Sequence, residues 1–144
     1  MKIKNRLFEN KQYAKTIEKL HTSDQLSVMD AYRINRLVKK LNELHKEFSE
    51  LKIKIMTQFG TPSEEKEDTV TISAENREEF NFEYNELINI EHDLEVKKLE
   101  FPKKIEDGFS ATDLNILETF FDLSGLEEKS EVEKYFSTEN MNKQ

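Results

Sequence analysis

The sequence contains no cysteine. That excludes thiol catalysis, iron–sulfur clusters, disulfide scaffolds and cysteine zinc sites. Long apolar runs are missing as well, and none approaches the roughly 20 residues a membrane helix needs. The opening stretch Met1–Leu20 lacks the continuous apolar core of a signal peptide. Glycine is scarce: Gly60, Gly108 and Gly125 stand alone. No phosphate-cradling loop and no G-x-S-x-G nucleophile turn can be assembled from them. Apolar residues make up only 35% of the chain and charged residues 36%. A chain of 144 residues fits one domain. So lean a composition implies a thin core, with two or three helices each packing along one stripe.

What is abundant is charge. The net charge is −8, which opposes binding to nucleic-acid backbones and anionic membranes. The distribution is uneven. Lys and Arg dominate residues 1–58, including Arg33, Arg36, Lys39 and Lys40, and acid dominates from Glu64 onward. Either the two halves attract each other in the fold, or the polarity reflects solvated faces.

Residues 27–59 carry the strongest periodic signal. Ala31, Ile34, Val38, Leu41, Leu44, Phe48, Leu51, Ile55 and Phe59 recur in steps of three and four. Ser27 is placed to cap the start, Gly60 to cap the end, and Pro62 to stop the helix. A helix over about 28–59 would be about 48 Å long, more than a compact domain of this size spans. Its stripe therefore needs a cover, and Leu44, Phe48, Leu51, Ile55 and Phe59 are the candidate interface. The heptad slips between Leu41 and Leu44, which favours a helical hairpin over a long coiled coil.

Around this helix the pattern is shorter. Tyr13, Ala14, Ile17 and Leu20 predict a helix over about 10–21, preceded by an extended stretch. Alternation at 69–72 predicts a strand. A helix over about 74–92, capped by Ser73, presents Phe80, Tyr84, Leu87 and Ile88 on one face. Phe82 and Ile90 lie off that stripe, which predicts a second neighbour. Residues 94–101 read as a strand pairing with 69–72, antiparallel or parallel. Ser110 caps a last helix over about 111–123, ended by Ser124-Gly125. Residues 127–144 are compositionally a charged tail. The expected architecture is mainly α, with one helical domain over 1–126.

Sites for chemistry are sparse. His21, His45 and His92 sit on different elements, and none has a helical ligand partner. Glu75, Glu78, Glu79, Glu83 and Glu86 form a candidate acidic face. Their E-x-x-E spacings match the magnesium-binding pairs of all-α nucleotide pyrophosphohydrolases. That family needs a second acidic pair, and the last helix offers only Asp113, Glu118 and Asp122 at the wrong spacing. A solvated face is the simpler reading. Ser27, Ser73 and Ser110 each have a capping explanation. The aromatics Phe80, Phe82, Tyr84, Phe120 and Phe121 read as core in preference to a base-stacking platform. No catalytic, cofactor or metal residue is assigned.

The segment Ala31-Tyr32-Arg33-Ile34-Asn35-Arg36-Leu37-Val38-Lys39-Lys40-Leu41-Asn42 resembles a family of small phage and prophage proteins of Gram-positive bacteria. The opening Met1-Lys2-Ile3, the helix from Glu75 through Glu91 and the helix from Ser110 through Phe120 extend the resemblance over about residues 1–123. The family is a domain of unknown function and supplies no catalytic residues. The resemblance implies a phage accessory protein, in the host cytoplasm or the virion. Composition and resemblance together predict a non-enzymatic protein acting through a protein partner or a second copy. It would be a virion or tail-assembly component, or an inhibitor of a host defence protein. An acidic nucleic-acid mimic in a nuclease cleft is the alternative, and a pyrophosphohydrolase the third reading.

Overall fold

The computed structural model describes residues 1–62, 69–102, 105 and 108–124. The expected tail over 127–144 and the expected stop at Gly125 lie outside the described residues. In chain order the elements are β1 (Lys2–Lys4), a 3-10 turn (Asn5–Glu9), α1 (Tyr13–Thr22), α2 (Val28–Phe59), β2 (Gly60–Pro62), β3 (Val70–Ile72), α3 (Arg77–Ile88), β4 (Glu91–Asp93), β5 (Leu99–Glu100), α4 (Ala111–Leu117) and β6 (Phe121–Asp122). The protein is mainly helical with small two-stranded sheets, and the long helix packs against the shorter ones.

Helix α2 starts where the sequence places it. The Ser27 hydroxyl accepts the Asp30 N–H at 3.2 Å, which satisfies a donor the first turn leaves free. Its N-terminal half buries Ile34, Leu37, Val38 and Leu41, and its partners are α1 and, farther along, the 3-10 turn and α3. The buried residues of α1, α2, α4 and the sheet edges form one cluster. The apolar stripe is therefore covered largely from within the chain.

Gly60 caps the end of α2 as expected, its N–H donating to the Met56 carbonyl, but the conformation is not the usual left-handed one. Gly60 is extended, at φ −118° and ψ 165°, and begins a strand without a left-handed cap. A Cβ on Gly60 would meet a Val70 methyl at 1.8 Å and the Met56 carbonyl at 2.8 Å. Glycine is required there by close approach of β3, because β2 and β3 pair antiparallel with Gly60 opposite Ile72.

The ribbon expected between 69–72 and 94–101 is replaced by three separate pairings. Residues 70–72 pair with the strand just before them in the chain, the shorter loop to close. Lys2-Ile3-Lys4 pairs antiparallel with Glu91-His92-Asp93, which sets lysines opposite carboxylates and turns Ile3 into the core. Leu99 and Glu100 pair in parallel with Phe121 and Asp122.

These pairings shorten two helices. α3 ends at Ile88 and not near 92, because 91–93 belong to β4. It begins at Arg77 and not Ala74. Ser73 caps nothing with its side chain; its carbonyl accepts the Asn76 N–H. The Asn76 side chain donates to the Phe59 carbonyl at 3.1 Å, tying the start of α3 to the end of α2. α4 stops at Leu117 and not Leu123. A tight turn carries Phe120 and Phe121 into the core, where both are almost fully enclosed. One face of a continued helix could not bury both neighbours. Toward the start of the chain, α1 begins at Tyr13, and the extended stretch before it is interrupted by the 3-10 turn.

Candidate functional site

Asp113 is wholly buried. Its carboxylate accepts from Thr16 Oγ1 at 2.6 Å, Lys19 Nζ at 2.8 Å and Gln12 Nε2 at 3.1 Å. It also accepts the Ser110 N–H at 2.9 Å, while the Ser110 hydroxyl accepts the Asp113 N–H, completing a capping box. Burial works to raise the pKa of this carboxyl. Donation from Lys19, Thr16, Ser110 and Gln12 outweighs it and holds the group below the usual carboxylate range. Every donor belongs to α1, to the residue that precedes it or to the residue that precedes α4, so the node is a clamp between the two helices.

A second node joins the 3-10 turn, α2 and α3. Tyr84 donates to Glu9, and Lys52 pairs with Glu9 at 3.1 Å. Burial opposes ionisation of Glu9, but donation by Tyr84 and Lys52 brings its carboxyl below its ordinary value. Burial and the Glu9 contact push the Tyr84 hydroxyl upward. Two of the three histidines are also engaged with asparagines. His92 Nε2 meets Asn5 Oδ1 at 2.8 Å, and His21 Nε2 meets Asn35 Oδ1 at 3.3 Å. His45 stacks on Phe8 with ring centres 4.9 Å apart. Among the described residues no group of three His, Asp or Glu converges to hold a metal ion. No helix among them is long and apolar enough to cross a membrane.

The candidate interface divides. Phe48, 3% exposed, and Phe59 lie in the interior, Leu44 and Ile55 are half-buried, and Leu51 is 43% exposed. Phe48 lies 5.9 Å from the Phe8 ring, so the 3-10 turn supplies part of the cover the stripe needs. Glu75, Glu78, Glu79, Glu83 and Glu86 are all exposed, and among the described residues none of them is in an ion pair. Charge attraction between the halves is realised at Lys2–Glu91 and Lys19–Asp113. Of the aromatics, Phe120 and Phe121 are core and Phe80 stacks on Tyr84, ring centres 5.5 Å apart. Phe82 is 62% exposed.

A concavity with apolar and mainly basic lining lies elsewhere among the described residues. It runs between the N-terminal half of α2 and the connection from β4 to β5, with a volume of about 480 Å³. Leu37 and Leu94 are its buried floor. Met29, Tyr32 and Val96 stand exposed on its walls, Tyr32 at 56%. Arg33, Arg36 and Lys40 rim the α2 side, facing the single acid Glu95. The Arg36 guanidinium lies 5.8 Å from the Tyr32 ring centre, a cation–π contact that orients both groups.

The opposite wall is held by backbone. The Leu94 N–H donates to the Met1 carbonyl at 2.9 Å, and the Leu99 N–H to the Phe120 carbonyl at 3.0 Å. Between them Glu95 is left-handed at φ 56°, with its N–H on Asp93 Oδ1 at 2.9 Å. This short polar turn aims Val96 at the groove. Sequence reasoning missed the site. Its only linear trace is Met29, Tyr32, Arg33, Arg36 and Lys40 recurring at helical spacing beside the core stripe. The wall across from them lies more than fifty residues away in sequence.

Comparison with protein-family models, with curated proteins and with solved structures yields no significant match.

Proposed function

We propose that this chain is a non-enzymatic binding protein that takes an apolar, carboxylate-bearing segment of a protein partner into the groove beside α2. One observation carries the reading. In a protein of net charge −8, exposed Met29, Tyr32 and Val96 surround one concavity together with Arg33, Arg36 and Lys40. Apolar walls supply affinity by leaving water, and the cations select and orient a partner of opposite charge. The resemblance to phage and prophage proteins supports an accessory role. That role is virion or tail assembly, or inhibition of a host defence protein, in the bacterial host cytoplasm or the virion.

A peptide-display selection on the purified protein tests this, with counter-selection on Arg33→Glu/Arg36→Glu. The expected binders combine Asp or Glu with Leu, Met or aromatic residues and lose affinity for the variant. Binders indifferent to the variant would remove the groove from consideration. Turnover in a screen with magnesium and nucleoside triphosphates would overturn the non-enzymatic reading.

The nucleic-acid mimic remains a second reading because the five glutamates of residues 75–86 are all exposed and, among the described residues, in no ion pair. It requires a nuclease complex that weakens steeply with salt and is lost on Glu→Gln change in this face, with the groove variants unaffected.

A further inference from the structure

The outward face of α3 matches the groove. Tyr84, Leu87 and Ile88 turn inward, which leaves Glu78, Phe82 and Glu86 as one row of i, i+4 and i+8 on the opposite side. Phe82 stands in the middle of that row and is 62% exposed. Among the described residues most of this ring is left uncovered, and the sequence had marked it as needing a second neighbour. Its two flanking glutamates are exposed and, among the described residues, in no ion pair.

The groove offers the complement. Its walls are apolar, and Arg33 through Lys40 supply cations along one side. From Glu78 to Glu86 the helix rises about 12 Å, and from Arg33 to Lys40 about 10 Å. The two charge rows therefore have nearly the same length. Within one chain they do not meet, because Phe82 faces solvent.

We propose that a second copy of this chain occupies the groove: Phe82 of one copy enters between Tyr32 and Val96 of another, with Glu78 and Glu86 against Arg33, Arg36 and Lys40. This rests on the groove reading above and names its occupant. Two different surfaces meet, so the contact is head-to-tail and extends into short chains unless the rotation closes a ring. One three-turn helix in one groove buries less than the roughly 1,200 Å² of a stable interface. Association is therefore weak, concentration-dependent and salt-sensitive.

Light scattering and sedimentation of the full chain across a dilution series test this. At low salt the mean mass should rise with concentration, and added salt should reverse it. Arg33→Glu/Arg36→Glu and Glu78→Arg/Glu86→Arg should each weaken association at least about tenfold. In each, groove and helix then carry like charge. Mixing the two variants should restore association, because each keeps a surface opposite in charge to one on the other. Phe82→Ser should weaken it without changing the melting temperature, as the side chain is already in water. Melting curves confirm that the variants are folded. A wild type that stays monomeric at every concentration and low salt overturns self-association. If such a monomer still binds selected acidic peptides through Arg33 and Arg36, the groove reading stands alone. Association that survives both charge reversals also overturns the proposal, since another face would carry it.

Discussion

Replacing Asp113 by Asn tests whether the α1–α4 clamp stabilises the fold as its geometry implies. The carboxylate is wholly enclosed and accepts from Thr16, Lys19, Gln12 and the Ser110 N–H. An amide keeps the shape but has one acceptor oxygen in place of two. Its NH2 group then faces donors, either the Lys19 ammonium and the Ser110 N–H or Thr16 and Gln12. Breaking a buried pair costs about 3–5 kcal/mol. Lys19 is about half exposed and can turn to water, which removes the worst of that penalty. The Ser110 hydroxyl still caps α4, but weakening the reciprocal bond from the Ser110 N–H adds about 1 kcal/mol. The expected loss is about 3 kcal/mol, a fall in melting temperature on the order of 10 °C. Urea unfolding followed by far-UV circular dichroism measures it.

Acid gives an independent check on the same group. The folded-state carboxyl is held below its usual range, so its contribution is complete above the unfolded value of about 4. That contribution fades as pH falls toward the folded value. The gap between wild type and Asp113→Asn should be constant near neutrality and shrink once pH drops below about 4. A variant within about 0.5 kcal/mol of wild type at neutral pH, or a gap unchanged by acid, would refute the clamp.

Phe48→Asp should cost at least about 3 kcal/mol, because it buries an unpaired charge against Phe8. Leu51→Asp, three residues on and 43% exposed, should change urea stability by less than about 1 kcal/mol. Equal effects would contradict the division of the stripe. Gly60→Ala should destabilise by about 1–3 kcal/mol, since its Cβ would collide with Val70 and the Met56 carbonyl. Val70→Ala in the same chain should recover part of that loss, and no recovery would count against close approach as the reason. Tyr13→Phe should be neutral or stabilising by up to about 1 kcal/mol in thermal melts. The buried Tyr13 hydroxyl has no hydrogen-bond partner among the described residues, so deleting it removes a desolvation cost. A clear loss of stability would mean the hydroxyl is satisfied after all.

Much of the secondary structure was determined locally. Val28–Phe59 is legible because a stripe at threes and fours, a serine cap and an uninterrupted run act within a few residues of one another. Ser110 and Asp113 announce α4 for the same reason. Strand partners were not legible. Runs of two or three residues carry no register signal, and their pairing depends on which segments the helices bring alongside. Lys2–Lys4 meets Glu91–Asp93 across more than half of the chain. The outcome at the candidate interface was likewise decided by tertiary packing. Leu51 and Phe48 look alike in the periodic pattern, yet the 3-10 turn lies beside Phe48 and leaves Leu51 half open. The groove lay furthest from view. In the sequence Arg33 and Arg36 are only part of a basic excess, until the turn at Glu95 places Val96 opposite them. A helix can be written in local sequence because its hydrogen bonds close over four residues. A concavity between distant segments exists only after the core has brought both walls together.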